Sequence, residues 1–362
     1  MFGLRMIKHG VGRVRAGFFE EVFLKTGWDQ TFPVFFNVVV TERCNYKCSY
    51  CNHWNREKYV DEMSLQDWKR ALSGIKELAN PVLLQFTGGE PFVYPHFVDL
   101  IESCHAIGID WDVNTNGSAF ANPRLVKRVV ASKPLKIDIS VDGSTPEIHD
   151  AARGIDGSLA KIERGLDLLV SERDRTKQRF PIRIKTTVHR LNAGNLEHIA
   201  SWAEAHGVTS VTYSPATVWY GAVDPLLIEE DETKAVLHEQ IHKLSSLRSA
   251  GGLAIEFDRF DSVVRNSSEN HNLIGVPCRQ AIREFTISSN GDVQACGCIP
   301  ILGNLRRQEA TSIWRGELAR MYRQARRDCT REYATSNKAE SCNARRSIWS
   351  DVQRAISIIH LR

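Results

Sequence analysis

Three cysteines lie close together in one short stretch of this chain, RCNYKCSYCNHW. Cys44 and Cys48 are four residues apart, Cys51 follows three residues later, and Tyr50 directly precedes it. Disulfides use cysteines in pairs, and a structural zinc site is closed by four ligands. Three thiolates can instead hold an iron–sulfur cluster and leave one iron without a protein ligand. A zinc site completed by His53 is the alternative.

The composition favours metal or cluster chemistry over a disulfide scaffold. Nine cysteines are spaced unevenly, and the first residues lack the continuous apolar run and small-residue cleavage site of a secretory signal, so a reducing cytoplasm is expected. With 42% apolar and 25% charged residues and a net charge of +4 over 362 residues, the chain is an ordinary globular protein. Its charge gives no argument for nucleic acid, and no apolar run is long enough to span a bilayer.

The first 33 residues predict a basic helical segment. Apolar residues recur there among Arg and Lys, at Phe2, Leu4, Ile7, Val11 and Val14. A helix packed on the main domain is the preferred interpretation, and contact with a membrane surface is the alternative.

From residue 34 onward, strand-like and helix-like periods alternate. Six apolar strands are predicted, at 34–40, 82–86, 109–113, 136–141, 182–188 and 208–213. Strands joined through helices pair in parallel by right-handed crossovers, so an α/β fold with a parallel sheet is expected. The rhythm changes after about residue 216, where a connecting region to residue 277 is predicted. A β-hairpin at Asn290-Gly291 and a helix over 311–327 follow it.

Distinctive short segments follow the ends of four of these strands. The cysteine loop follows the first strand, TGGEP the second and NTNG the third, while SVDG ends the fourth. In such folds chemistry collects at the carboxyl ends of the strands. These segments are therefore expected to meet at one site.

With these motifs the sequence resembles the radical SAM superfamily. The motifs are the Cys44-x3-Cys48-x2-Cys51 loop with its aromatic residue at Tyr50, the GGEP segment after the next strand, and the run SVDGSTPEIHDAARG. The resemblance implies a partial (β/α)6 barrel over 34–215. It also implies a [4Fe–4S] cluster on the three cysteines, with S-adenosylmethionine (SAM) on the fourth iron, and cleavage of SAM to a 5′-deoxyadenosyl radical.

The same resemblance implies contacts to SAM. The GGEP segment is expected to bind the methionine amino group, with Glu90 either contacting it or shaping the turn, because glycines allow close approach. Ser140 and Arg153 match positions that contact the methionine carboxylate, which suits the bidentate fork of arginine. Asn116 matches a ribose contact, with a plain Asn-Gly turn as the alternative. The cofactor-binding candidates are Tyr50, Gly88, Gly89, Glu90, Pro91, Asn116, Ser140 and Arg153.

A second group of cysteines follows, and with the segments GNL and SIWRGE it resembles SPASM and twitch domains, which hold auxiliary clusters. Residues 278–362 are therefore expected to form a smaller cluster-binding domain. The pattern departs from SPASM, because five cysteines remain where seven are usual and 12 residues separate the last two. Five thiols suffice for one auxiliary [4Fe–4S] cluster. The expected ligands are Cys278, Cys296, Cys329 and Cys342, with Cys298 as a substitute ligand, a free thiol or a hydrogen donor. Five unrelated buried thiols are the alternative, and Cys104 is expected to be a buried apolar residue.

These motifs predict a radical SAM oxidoreductase that oxidises a small molecule, such as a sugar or aminocyclitol. Only 33 residues precede the first strand, too few for the extra N-terminal peptide-recognition domain of many peptide-modifying relatives. An external electron donor such as flavodoxin or ferredoxin is expected, with no nucleic acid partner. The alternatives are a peptide-modifying enzyme and a redox-neutral, epimerase-type enzyme. A non-catalytic iron–sulfur electron-transfer protein is the alternative from another class, and it leaves the GGEP and SVDG segments unexplained.

Overall fold

The computed structural model describes residues 2–55, 61–216, 223–224, 226–250, 253–257, 279–296 and 299–327. Within these ranges ten strands form one sheet in the order β10-β9-β8-β1-β2-β3-β4-β5-β6-β7. The strands are β1 (Phe35–Thr41), β2 (Leu83–Gly88), β3 (Asp110–Thr115), β4 (Lys136–Ser140), β5 (Ile182–Val188), β6 (Ser210–Pro215), β7 (Ala254–Phe257), β8 (Glu284–Ile287), β9 (Asp292–Gln294) and β10 (Gly303–Asn304).

Helices connect and flank these strands. They are α1 (Phe2–Thr26), α2 (Leu65–Leu78), α3 (Phe97–Ala106), α4 (Pro123–Ala131), α5 (Pro146–Arg153), α6 (Ser158–Arg175), α7 (Leu196–Ala205), α8 (Asp231–Ala250), α9 (Gln280–Arg283), α10 (Ala310–Arg315) and α11 (Glu317–Arg327). No helix in the described ranges is long and apolar enough to cross a membrane.

The six predicted strands occur in the predicted order, each parallel to the next. Two further parallel strands extend this row, with β7 beside β6 and β8 beside β1. The predicted hairpin is present as the antiparallel pair β8–β9, which β10 continues. The α/β fold class and the smaller C-terminal unit are therefore confirmed, and the sheet runs without a break from one into the other.

The sheet has two unlike faces. Alternate residues of each strand point to opposite sides, and one side packs against the helices. On β5, for example, Ile182 and Ile184 are fully buried in the core that the helices share with the sheet. We call the opposite side the inner face. It is mostly polar, with Asn37, Gln85, Thr87, Asp112, Asn114, Asp138, Ser140, Arg183, Lys185, Thr187, Thr212 and Ser214.

Helix α2 follows the cysteine loop along the chain and begins at a capped N-terminus. Its N-cap is Ser64, which accepts a hydrogen bond from the Asp67 N–H at 3.1 Å while Asp67 accepts one from the Ser64 N–H at 3.1 Å. This is a capping box, whose Ser64 and Asp67 are recognisable in the sequence by their three-residue spacing, and such caps contribute about 1 kcal/mol. The apolar stripe of α2, including Trp68, Leu72 and Ile75, is buried against the sheet.

Helix α1, the predicted N-terminal helix, packs on the main domain through charged side chains. Arg5 donates to Asp110 at 2.7 Å, and His9 lies 2.6 Å from the same carboxylate at the start of β3. Near its other end, buried Glu20 pairs with Arg283 at 2.7 Å and Arg279 at 2.8 Å. The preferred interpretation of this segment therefore agrees with the structure, although the packed side is mixed, with Ala16, Gly17 and Phe23 buried beside Glu20.

Candidate active site at the carboxyl edge of the sheet

The cysteine loop leaves the end of β1 and gathers its three thiols into one small cluster of side chains. Cys48 is buried, and Cys44 and Cys51 are half-buried. The Tyr46 N–H donates to Cys44 Sγ at 3.4 Å, which turns the loop back on itself. The remaining members of this cluster are Tyr46, Tyr50, Ala152, Ile155 and Leu226.

Burial keeps the Cys44 and Cys48 thiols protonated in the cluster-free protein. It raises the pKa of Cys44 to about 12, with smaller contributions from the charge of Glu90 and from the other two thiols. Burial also raises the pKa of Cys48, against the opposing charge of Arg153. Iron binds thiolates, so loading a cluster here must release protons.

The donor set fits a cubane cluster by its chemistry, because three cysteine thiols share one loop and one cluster of side chains, with an arginine beside Cys48. Arg153 Nη1 is 3.9 Å from Cys48 Sγ, and a nearby cation favours the anionic cluster–thiolate assembly. Among the described residues, no group of three or more His, Cys, Asp or Glu side chains is arranged to hold a single metal ion. His53, the proposed fourth zinc ligand, has its Nδ1 2.8 Å from the Glu42 carboxylate.

The two glycines of the GGEP turn lie against the backbone that begins the cysteine loop. A Cβ at Gly88, where φ is +125°, would lie 2.3 Å from the Thr41 carbonyl oxygen, and one at Gly89 would lie 2.1 Å from that of Arg43. The Gly89 and Glu90 N–H groups donate to the same two carbonyls at 2.9 and 2.8 Å. The close approach that these glycines permit is thus to the cysteine loop, whereas the sequence suggested an approach to the cofactor.

Gly89→Ala is therefore expected to destabilise the protein by roughly 3 kcal/mol or more, because its Cβ would meet backbone that cannot rotate away. Thermal unfolding of the cluster-free protein measures this. Gly10→Ala in α1, where a Cβ meets open space, is the control and should be neutral or slightly stabilising. An unchanged melting temperature for Gly89→Ala would contradict the packing described here.

Glu90 ties the turn after β2 to the turn after β3. It is 1% exposed and accepts hydrogen bonds from the Phe92 N–H at 3.1 Å, Thr115 Oγ1 at 2.7 Å and the Asn116 N–H at 2.7 Å. Burial raises its pKa to about 7, although these hydrogen bonds act in the opposite direction. Of its two expected roles, shaping the turn is the one seen here. Pro91 opens the short 3₁₀ turn that follows.

Asn116 links the turn after β3 to the cysteine loop. Its Nδ2 donates to Asn45 Oδ1 at 2.8 Å, and its Oδ1 accepts from the Ser118 N–H at 3.0 Å. This is the Asn-Gly turn proposed as an alternative to a ribose contact. The predicted contact with SAM stays a prediction.

A buried charge pair lies beneath the cysteine loop. Asp142, from the SVDG segment, accepts a hydrogen bond from the Tyr50 hydroxyl at 2.5 Å, and its Oδ2 is 2.9 Å from Arg153 Nε. The Arg153 guanidinium also lies over the Tyr50 ring, 5.7 Å from its centroid. The structure therefore places Tyr50 and Arg153 together through a carboxylate of this chain. Ser140, half-buried, ends β4 on the inner face nearby.

The charges in this pair stabilise one another. Burial alone would raise the pKa of Asp142, but Arg153 and the hydrogen bonds from its neighbours hold it well below the ordinary value. Burial alone would lower the pKa of Arg153, but the opposite charge of Asp142 holds it well above its ordinary value. Both groups are thus ionised at neutral pH, with the positive charge held beside Cys48.

Residues further along the chain support Asp142 and were not predicted. Asn192 Nδ2 donates to the Asp142 carbonyl at 2.9 Å, and the Thr187 N–H donates to Asp142 Oδ1 at 3.0 Å. The His189 ring lies 5.6 Å from the Tyr50 ring, and His149 Nδ1 accepts from the Asp142 N–H at 3.2 Å. Asp142 itself was visible in SVDG, but no sequence signal marks Asn192 or His189.

Of the predicted auxiliary ligands, Cys296 lies within the described residues. It is 6% exposed, follows β9 within the core, and its Sγ is 3.6 Å from Gln280 Oε1. Cys278, Cys298, Cys329 and Cys342 lie outside the described residues. Cys104 is fully buried on α3, as predicted.

A parallel sheet with a cysteine loop after its first strand and a glycine turn after its second defines the class of protein: the chain belongs to the radical SAM superfamily. The profile of the Radical SAM superfamily matches residues 38–180, and that of SPASM, an iron–sulfur cluster-binding domain, matches residues 278–343. Together these domains bind SAM and [4Fe–4S] clusters. The predicted superfamily and cofactors are therefore confirmed.

Individual relatives share less than 30% sequence identity with this chain. The AdoMet-dependent heme synthase of Oleidesulfovibrio alaskensis is 26% identical over 302 residues, which cover 78% of this chain and 75% of that protein. The mycofactocin maturase MftC of Mycobacterium ulcerans is 29% identical over 179 residues, 49% of this chain and 46% of that one. Among solved structures, Streptococcus suis SuiB bound to S-adenosylmethionine superposes with a TM-score of 0.64 at 17% identity, over 81% of this chain and 68% of that one.

Proposed function

We propose that this radical SAM enzyme oxidises a polar small molecule by two electrons, at a site on the inner face of the sheet. Cys44, Cys48 and Cys51 hold the cluster to which SAM binds. The GGEP turn, Asn116 and Ser140 surround SAM, and Arg153 either meets the methionine carboxylate or holds positive charge beside Cys48. Auxiliary cluster ligands are assigned to Cys278, Cys296, Cys329 and Cys342.

The cofactors would supply the chemistry: a cluster held by Cys44, Cys48 and Cys51 would supply, with SAM, a radical able to abstract hydrogen, and a cluster held by Cys278, Cys296, Cys329 and Cys342 would supply an acceptor for the second electron. The protein's own part is to position and enclose these groups. The Asp142–Arg153 pair and Tyr50 hold the cysteine loop from below, while Glu90 fixes the turns after β2 and β3. Flavodoxin or ferredoxin as the electron donor stays a prediction.

The polar inner face is the observation that supports a polar substrate. Asn114 Oδ1 and Thr212 Oγ1 on this face are buried, with no hydrogen-bond partner in the described part of the chain. A buried polar atom without a partner costs about 1–3 kcal/mol, so these two atoms are suited to a ligand that carries hydrogen-bond donors. Thr212→Val should leave folding intact and weaken binding of such a substrate.

A charged network closes the lower part of the same face. Asp138 forms ion pairs with Arg183 at 2.7 Å and with Lys136 at 2.8 Å. Arg183 forms a second ion pair with Glu256 of β7 at 3.1 Å. Burial would raise the pKa of Asp138, but the charges of Lys136 and Arg183 lower it to about 2. These charges satisfy one another, and Asn114 and Thr212 lie at the border of this network, in register with Asp138 and Glu256.

The relatives favour a small molecule over a peptide. Two proteins named as AdoMet-dependent heme synthases match this chain over about three-quarters or more of both lengths. The mycofactocin maturase match covers only about half of this chain, and the SuiB likeness, which includes a structure with the precursor peptide SuiA, is one of fold. A sugar or aminocyclitol, as first expected, has no support among these relatives, so we narrow the proposal to a polar small molecule.

Substrate class can be tested by the stimulation of 5′-deoxyadenosine release. Reconstituted enzyme with SAM and dithionite is given three anaerobic fractions of a cell extract: polar metabolites below 1 kDa, peptides, and organic-phase lipids. We expect the polar fraction to stimulate 5′-deoxyadenosine release, and we expect protease treatment of that fraction not to abolish the effect. The Thr212→Val variant should need more of the polar fraction to reach half-maximal stimulation. Stimulation by protease-sensitive material alone would instead identify a peptide-modifying enzyme.

The oxidative outcome is tested separately in deuterated water. We expect a product two electrons more oxidised than its substrate, with one methionine and one 5′-deoxyadenosine formed per product. In the redox-neutral alternative, a thiol such as Cys298 returns a hydrogen atom to the substrate radical. Solvent deuterium at the reacting carbon, with no change in oxidation state, would contradict the oxidase proposal.

A further inference from the structure

Helix α1 buries Ala16, Gly17 and Phe23 together with charged Glu20, but it leaves a row of apolar side chains on its solvent side, a partial reversal of the polarity of a typical surface helix. The side that faces the domain carries Arg5, His9 and Glu20, each paired with a charged group on the sheet or on α9. A surface helix of a globular protein normally turns its apolar stripe inward and its charged side to water. This reversal needs an explanation beyond folding.

The apolar stripe of α1 faces solvent. Its five side chains are between 49% and 71% exposed, at Leu4, Ile7, Val11, Val14 and Phe18. Spacings of three and four residues put them in one row, about 21 Å long at 1.5 Å per residue. Scattered exposed apolar residues need no explanation, but a continuous row of five marks an interaction surface.

The charges along this row are all of one sign. Residues 2–19 contain no acidic residue. Of their basic residues, Arg5 and His9 face the domain and pair with Asp110, while the Arg15 guanidinium lies over the Phe32 ring, 4.8 Å from its centroid. Lys8 and Arg15 are exposed, and at helical spacing both lie along the same flank of the row. Trp28, just after the helix, is 59% exposed; tryptophan is enriched where protein meets the headgroup region of a bilayer.

We propose that α1 binds the surface of an anionic lipid bilayer. The stripe from Leu4 to Phe18 enters the boundary between headgroups and acyl chains, and Lys8 and Arg15 meet lipid phosphates, as in other interfacial helices. The protein side of α1 is already fixed by its ion pairs, so the helix can bind lipid without leaving the domain. Both interpretations of the N-terminal segment therefore apply, one to each side of the helix.

Charge argues against a second copy of the chain as the occupant. Suppose that two α1 helices paired along this row as in a coiled coil. Lys8 and Arg15 are seven residues apart, so both would lie on the same edge of the contact. The opposite flanking positions hold Gly10 and Gly17, which supply no acidic partner. Paired coiled-coil helices rely on opposite charges there, and like charges across an interface are unfavourable.

Cosedimentation of the full-length, reconstituted protein with vesicles tests this proposal. We expect strong binding to phosphatidylcholine–phosphatidylglycerol vesicles, weak binding to pure phosphatidylcholine, and a loss of binding at high salt. Val11→Glu with Val14→Glu should lower the partition coefficient at least tenfold. Lys8→Ala and Arg15→Ala should each lower it roughly fivefold.

The matched control is Val236→Glu with Leu247→Glu, two exposed apolar residues of α8, which should bind vesicles as the wild type does. SAM cleavage without substrate should be equal in all these variants, which shows that they are folded. Equal binding of wild type and Val11→Glu/Val14→Glu, or no binding by either, would overturn the proposal. So would a dimer, seen by light scattering, that this double variant converts to monomer.

Discussion

Replacing Cys44, Cys48 and Cys51 together with alanine is expected to remove about half of the iron from the reconstituted protein. Two cubane clusters give about eight irons per chain in the wild type, and the triple variant should retain about four. The physical reason is that these three thiols share one loop and one cluster of side chains. Iron and sulfide analysis after anaerobic reconstitution measures the loss.

Single substitutions separate the two sites. Cys104→Ala, a buried cysteine on α3 far from either ligand set in the sequence, is the control and should keep all the iron. Cys296→Ala should lose the other four irons, whereas Cys298→Ala should keep the full content. If the wild-type protein saturates near four irons, the assignment of an auxiliary cluster is contradicted. If Cys298→Ala loses iron and Cys296→Ala keeps it, Cys298 is the ligand in place of Cys296.

Asp142→Asn is expected to be among the most damaging single substitutions outside the cysteines. It removes the charge that balances buried Arg153, and it weakens the acceptor of the Tyr50 hydroxyl. Leaving one member of a buried ion pair without its partner costs about 3–5 kcal/mol. Thermal unfolding of the cluster-free protein should show a melting temperature lower by at least about 5 °C.

A double-mutant cycle tests whether the pair itself is responsible. Replacing Arg153 by Met in the Asp142→Asn background removes the unpaired charge, so the double variant should be more stable than the sum of the two single losses predicts. The single losses should therefore not add. Additive losses would show that Asp142 and Arg153 do not interact in the way described.

The sequence predicted the elements whose signal is local. The six main strands were identifiable because each buries one apolar face, and the capping box at Ser64 is set by residues three apart. Strand β7 was not predicted, because its four residues are too few to show a period. Strand β8 was predicted within the hairpin, but its parallel pairing with β1 was not, because that pairing joins residues far apart in the chain. The polarity of α1 was also unpredictable, because its orientation depends on ion pairs with Asp110 and Arg283, far along the chain.

In the candidate active site, the sequence motifs identified the residues but predicted few of the hydrogen bonds and ion pairs between them. The cysteine spacing and the GGEP turn marked the right strand ends. Gly88 and Gly89 also contact the carbonyls of Thr41 and Arg43, which the sequence could not show, and their predicted approach to the cofactor stays a prediction. Arg153 was expected to meet a carboxylate, and the structure provides one from within the chain, Asp142.

The central claim is that Cys44, Cys48 and Cys51 hold the cluster at which SAM is cleaved. Release of 5′-deoxyadenosine tests this claim most directly. Anaerobic wild-type protein with SAM and dithionite should release 5′-deoxyadenosine and methionine in equal amounts, and Cys296→Ala should do the same without completing substrate turnover. The triple alanine variant should release none. Release at the wild-type rate by the triple variant, or none by an iron-replete wild type, would contradict the account.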